Sequence, residues 1–252
     1  MKVNNILFLD KLLSIEWKQA FIFVIIFVEN VFGRVYYMRQ PQFPNSNAPT
    51  HVQSNQRLMQ RVFSWMFAGL SMTAIIAFAL SLNPNVPAFL AANPLVFFGV
   101  VGLELLTVIV LSTLINRLNA FFATFAFFFY AALNGITFTL ILAYFELGTI
   151  ANAFIVAAGM FGVCAVFGYV TKMDLSKLGA VAFMALIGLI IATIVNIFLA
   201  NDTLTMVISY IGVIVFCALT AYDIQKIKHL NEYAFGEEEA TKLAIIGALM
   251  LY

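Results

Sequence analysis

Six apolar runs, each about long enough to cross a bilayer, follow one another with only short polar turns between them. They cover residues 62–82, 95–116, 120–144, 149–171, 178–200 and 204–224. About 20 helical residues cross the roughly 30 Å of bilayer hydrocarbon. Inside that layer only helices and closed barrels satisfy every backbone N–H and C=O group. Runs this long, unbroken by period-2 alternation, exclude the barrel. The breaks are turn chemistry: Asn83-Pro84-Asn85-Val86-Pro87, Asn93-Pro94, Asn116-Arg117-Leu118-Asn119, Thr171-Lys172-Met173-Asp174 and Asn201-Asp202. Such short connections force neighbouring helices to run antiparallel. The chain therefore reads as an all-α, polytopic membrane helix bundle with six complete spans. Composition agrees: 63% of residues are hydrophobic and 10% charged, against about 25% charged in a soluble domain.

Basic residues set the orientation, because loops that stay in the cytoplasm are enriched in Lys and Arg. Arg57 and Arg61 precede the first span, Arg117 follows the second, Lys172 and Lys177 flank the fourth turn, and Lys226, Lys228 and Lys242 follow the sixth span. The intervening loops 83–94, 145–148 and 201–203 contain no Lys or Arg. Every basic residue from Arg57 onward thus falls on one side of an alternating topology, which predicts a cytoplasmic N-terminus. A formal net charge of +1 and the lack of a basic stripe leave no argument for a nucleic-acid partner. The two cysteines, Cys164 and Cys217, lie inside apolar runs. They are too few and too far apart in sequence for a disulfide framework or a Cys-based zinc site, and read as small buried hydrophobes.

Both ends depart from this pattern. Residues 1–56 form an N-terminal extension whose apolar run, 20–28, is interrupted by Glu29 and too short to span. It makes a poor signal peptide, with no clean small-residue cleavage pattern; the alternative is that translation starts at Met38. Residues 39–56, rich in Pro, Asn and Gln, read as a disordered cytosolic tail. The body is residues 57–252. At the far end, residues 240–252 open another apolar helix that reaches roughly 20 Å at 1.5 Å per residue, short of a full crossing. The chain is expected to stop inside its seventh helix.

In a membrane protein the informative residues are ionisable groups at depth. Most of the twelve acids fall in the tail, the turns or the loop 231–239, where solvation explains them. Two remain. Glu104 sits near the middle of the second span, where a charged group costs roughly 2.5–3.5 kcal/mol. It is expected to face the bundle interior, either as a functional carboxyl or as a neutral one bonded to a neighbouring helix. Asp223 closes the sixth span in Tyr222-Asp223-Ile224-Gln225-Lys226, where an i, i+3 ion pair with Lys226 is the simpler reading. Asp174 is expected to cap the fifth helix. Asn134 and Thr137 place an amide and a hydroxyl mid-membrane, as interhelical hydrogen-bonding groups. Ala158 and Gly162 fit close helix packing. No nucleotide loop, metalloprotease helix or nucleophile elbow appears, and His51 and His229 lack partners at metal spacing, so no enzyme is expected.

Three stretches together resemble the bacterial branch of the Bax inhibitor-1 family: Ala132-Leu133-Asn134-Gly135-Ile136, Thr171-Lys172-Met173-Asp174-Leu175-Ser176, and Tyr222-Asp223-Ile224-Gln225-Lys226-Ile227-Lys228-His229. The similarity extends over about residues 56–252. It implies a seven-helix Bax inhibitor fold, six helices around a central seventh, in the bacterial inner membrane. It also implies pH-sensitive calcium leakage, suppression of cell death in eukaryotic members, and modulation of a membrane protease in some bacterial ones. The family's sensor is a pair of aspartates near the cytosolic mouth. Asp223 matches the first, and the second is expected directly after Tyr252. Two carboxylates in contact at low dielectric share a proton rather than both ionise. Asp223 alone would respond to its own burial and to Lys226 or Lys228.

The expected function is a passive cation pathway, for calcium, with Asp223 at the cytosolic mouth as the calcium contact and Glu104 as a second polar station. Arg117, Asn134, Lys226, Lys228 and His229 are the supporting polar or charged residues. No cofactor is expected beyond calcium as a transported or bound ion. The alternative is a regulatory membrane protein that binds a protease or another integral protein through its tail and the acidic loop 232–239.

Overall fold

The computed structural model describes residues 51–115, 117–230 and 237–252. The expectations for the extension upstream of residue 51, and most of those for the loop 231–239, fall outside the described residues. Among the described residues eight helices follow one another: α1 His51–Ser81, α2 Asn85–Ala92, α3 Pro94–Leu114, α4 Ala120–Tyr144, α5 Leu147–Val170, α6 Ser176–Leu199, α7 Asp202–Leu230 and α8 Glu237–Leu251. Six of them, all but α2 and α8, are long and apolar enough to cross a membrane, as the six runs predict. Among the described residues there is no strand.

Two local details differ from expectation. The turn 83–94 is itself a short helix, α2, entered through Asn83, whose side-chain oxygen accepts from the Asn85 N–H at 3.1 Å. Pro84 and Pro87 do not prevent it, because first-turn residues have no intrahelical acceptor for an N–H. Pro94 likewise opens α3. The second difference is at α6, where the residue at the cap position is Leu175. Asp174 acts from one residue further out, accepting the Ser176 N–H at 2.9 Å. That hydrogen bonding to Ser176 holds its exposed carboxyl below the usual carboxylate range, with Lys177 and His229 adding to it.

The spans pack as two groups. In one, α4 lies between α1 and α3; in the other, α7 lies between α5 and α6. The short helix α8 joins them, packing on α1, α4 and α7. Every residue from Ala244 to Leu249 is buried, whereas the lipid-facing surfaces of α5 and α6 expose Ile155, Val163, Met184 and Phe198. The start of the seventh apolar segment is thus the centre of the bundle, as the family resemblance implies.

Lipid tails are as apolar as Leu, so these contacts rest on close packing rather than on escape from water. Glycines mark the tightest points. A Cβ on Gly168 of α5 would stand 2.2 Å from the Ala221 carbonyl oxygen of α7. One on Gly135 of α4 would meet Ile76 at 2.7 Å and the Thr73 carbonyl oxygen at 3.0 Å. One on Gly247 of α8 would meet Val62 at 2.7 Å.

The basic end of the bundle is tied by polar contacts. Arg61 of α1 pairs with Glu237 of α8 at 2.8 Å. Glu238 pairs with Lys242 at 3.1 Å and accepts the N–H of Ala120, the first residue of α4, at 3.3 Å. Glu237, Glu238 and Glu239 are therefore the first turn of α8, where the helix dipole favours acids, and not simply a solvated loop.

Two predictions follow from this packing. Gly168→Ala pushes against backbone that has no rotamer to yield, and should destabilise the bundle by about 1–3 kcal/mol. Gly188→Ala, with nothing within 4 Å of the new methyl, should be neutral or stabilising by up to about 1 kcal/mol; unfolding in detergent by denaturant titration compares the two. The second concerns Glu238, whose carboxyl is held below its ordinary value of 4.5 by its bonds to Lys242 and Ala120. A depressed folded-state pKa adds stability above the unfolded pKa and loses it as pH falls through the folded one. Wild type should thus exceed Glu238→Gln in Tm at pH 7, and the difference should vanish by pH 3.

Candidate functional site

Polar groups inside an apolar bundle have to be placed there by the helices that carry them, and two levels of this bundle do so. At mid-span, Glu104 of α3 is fully buried. It lies on the α3 face that also presents Val101, Val108, Leu111 and Ser112 to the interior, the spacing of one helical stripe. The Thr137 hydroxyl of α4 donates to Glu104 Oε1. Glu104 Oε2 and Ser112 Oγ have no hydrogen-bond partner among the described residues. Glu104 thus faces the interior and bonds across a helix interface, and it retains one uncommitted oxygen.

Around it the same level carries further polar groups. Thr73 of α1 donates to the Ala131 carbonyl of α4 at 2.7 Å and contacts the Tyr252 hydroxyl. Tyr252 in turn packs edge-on to Tyr130 and Phe127. Asn134 is buried, but its amide nitrogen donates to the Tyr130 carbonyl of its own helix at 3.0 Å. Of the two groups expected to bond between helices, Thr137 does so, and Asn134 returns this bond to its own backbone.

The second level is the basic end of α7. Asp223 is buried at 4% exposure, between Leu219 and Ile227 on one α7 face, both buried as well. Gln225, two residues on, fastens the turn between α5 and α6: its nitrogen donates to the Met173 carbonyl at 2.7 Å, and its oxygen accepts the Leu175 N–H at 2.9 Å. Lys228 donates to the Tyr169 carbonyl at 3.0 Å and lies 5.0 Å from the centre of the Tyr169 ring. It covers the C-terminal end of α5, where carbonyls lack partners and a cation is favoured. Lys226 lies 5.9 Å from the centre of the Tyr222 ring. His229 and Arg117 are exposed; His229 lies near Asp174, and Arg117 stands in the turn between α3 and α4.

The fold therefore brings Asp223, Lys226 and Lys228 to one helix end, while Glu104 and Asn134 lie in the other group of spans. Among the described residues no three His, Cys, Asp or Glu side chains gather into a metal-holding group. Asp223 thus stands in no dense acidic group among the described residues, whereas a resident calcium ion takes about six to eight oxygens.

Two of the stretches quoted for the family resemblance, 171–176 and 222–229, are neighbours in space, joined through Gln225. The known proteins similar to this chain bear on the same point. Residues 55–252 match the family described as inhibitor of apoptosis-promoting Bax1. This chain belongs to the Bax inhibitor family. It is 40% identical over 214 residues to the inner membrane protein YbhL of Escherichia coli K12, covering 84% of this chain and 92% of that one. An uncharacterized protein of Deinococcus radiodurans is 39% identical over 77% of this chain and 83% of its own length. An uncharacterized membrane protein of Streptococcus pyogenes is 33% identical over 80% and 90%. No solved structure is a significant match. In this Bax inhibitor family member the buried Asp223 and the Gln225 fastening both lie in stretches the sequence marks, whereas the central helix lies outside them. The contacts of Thr73 with Ala131 and Tyr252, and of Glu238 with Ala120, carry no local signal, because each joins residues more than 55 positions apart.

The Glu104–Thr137 bond yields a prediction. Thr137→Val strands the buried carboxyl and should cost about 1–3 kcal/mol. Combining it with Glu104→Leu removes both partners, and the double variant should be more stable than Thr137→Val alone. Denaturant unfolding of the four chains in one detergent completes the cycle.

Proposed function

We propose that this Bax inhibitor family protein is a passive cation pathway of the bacterial inner membrane, its basic end facing the cytoplasm, and that protonation of Asp223 controls it. The observation that carries this reading is selective burial. Among the described acids only Glu104 and Asp223 are buried. Acidic groups at membrane depth cost free energy and are kept where they serve an ion or proton path. Asp223, near the basic end of α7, supplies negative charge at the mouth; Glu104, near mid-span, supplies a further oxygen inside. Calcium is the cation proposed, because hard oxygen ligands and negative charge suit it. A proton on Asp223 cancels the mouth's charge, and a protonated carboxyl also packs differently against Leu219 and Ile227. The inner-membrane setting is supported by the name of the Escherichia coli relative.

The experiment is calcium flux into liposomes carrying the full chain, recorded from pH 5 to 8. Flux should depend on pH in wild type and lose that dependence, falling several-fold, in Asp223→Asn. An unchanged rate and pH profile in that variant rejects the gating role.

A second reading is supported by α5, where residues 151–159 are exposed on every side and no atom lies within 4 Å of a Cβ built at Gly159 or Gly162. A helix left so free suits a protein that packs against another integral protein, such as a membrane protease. Glu237 and Glu238 are less suited to that contact, since Arg61, Lys242 and Ala120 already engage them. Co-purification of an integral partner, lost in Gly159→Leu, together with no liposome flux, would select this reading over the first.

A further inference from the structure

The chain's two cysteines meet. Cys164 lies on α5 and Cys217 on α7, both half-buried and both free thiols, and the two thiols lie near enough to interact. The helix packing accounts for the encounter. With α6 crossing back between them in sequence, α5 and α7 run in the same direction. Gly168 stands four residues beyond Cys164, and Ala221 four beyond Cys217. Those two residues form the backbone contact at which a Cβ would come within 2.2 Å of a carbonyl oxygen. One turn back from that contact along two helices running the same way, Cys164 and Cys217 stand at matching positions, and a disulfide asks for a Cα separation of about 4.4–6.8 Å. Reading the cysteines separately, as buried apolar filler, misses this.

Their surroundings specify the chemistry. Val163, Val166 and Ile214 beside them are exposed to the lipid-facing side. Cys164 lies six residues inside the end of α5, roughly 9 Å at 1.5 Å per residue. Water-soluble thiols and disulfides do not reach that depth, but a redox molecule dissolved in the hydrocarbon does.

We propose that Cys164 and Cys217 form a redox modification site within the membrane, a dithiol that a lipid-soluble quinone closes to a disulfide joining α5 to α7. Two S–H bonds break and one S–S bond forms; the two electrons and two protons pass to the quinone, which leaves as the quinol. The closed disulfide fixes α7 to α5 six residues before Asp223. The site stands on the α5–α7 contact and does not depend on ion flux.

The test uses the full chain in liposomes of phosphatidylethanolamine and phosphatidylglycerol loaded with a short-chain ubiquinone analogue. Free thiols are counted with a maleimide after denaturation. Both thiols should disappear together in a monomeric chain that has lost the mass of two hydrogen atoms, and dithiothreitol added after denaturation should restore them. Cys164→Ser and Cys217→Ser should each keep their remaining thiol under the same treatment, and oxidation should raise Tm in wild type only. Thiols that persist in wild type, a quinone adduct on one cysteine, or a covalent dimer would each overturn the proposal.

Discussion

Close backbone approach is the constraint on which this bundle depends. In water a helix hides its apolar face and is driven to do so; in lipid that drive is absent, and helices stay together where their surfaces fit. The fit here is made by small residues. Gly168 lets α5 touch the Ala221 carbonyl, Gly135 lets α4 meet α1 at Thr73, and Gly247 lets α8 pass Val62. Each contact also determines what lies near it. The first brings the two thiols together, the second sets the mid-span polar level, and the third seats the central helix.

The polar interior is built in the spaces these contacts leave. A hydroxyl or carboxyl inside hydrocarbon is stable only with a partner, and the bundle supplies partners unevenly. Thr73, Thr137 and Asn134 are bonded, whereas one Glu104 oxygen and the Ser112 hydroxyl have no partner among the described residues. Oxygens of this kind keep a lone pair free for a proton or a hydrogen bond. At the basic end the charges differ in use: Lys228 closes a helix terminus, Gln225 holds the neighbouring turn, and Glu238 holds the start of α4. Asp223 is buried beside this fastened region, on a helix end restrained from two sides.

The spans were legible because their signal is local. Twenty consecutive apolar residues cannot end anywhere but in hydrocarbon, and Lys and Arg confined to alternate turns give the alternation directly. Glu104 and Asp223 were legible as acids where acids are costly. The helix within the 83–94 turn was not, since a cluster of Asn and Pro reads as a break, although first-turn prolines are compatible with a helix. Asn134 shows another limit: a mid-membrane amide announces a hydrogen bond, yet its own helix offers an acceptor four residues back, and sequence cannot decide between that and a neighbour.

The sequence by itself determined that the described residues are helical, that six of their helices are long and apolar enough to cross a membrane, and that the chain belongs with the proteins its three marked stretches resemble. These follow from hydrocarbon thickness, backbone hydrogen bonding and local residue order. Only the tertiary structure decided which distant residues meet: Cys164 with Cys217, Arg61 with Glu237, Glu238 with the start of α4, Thr73 with Tyr252. The reason is physical. A lipid-embedded helix presents nearly the same apolar surface all round, so periodicity scarcely reports which face turns inward, and partners are chosen by the shape and the few polar groups that distant helices bring together.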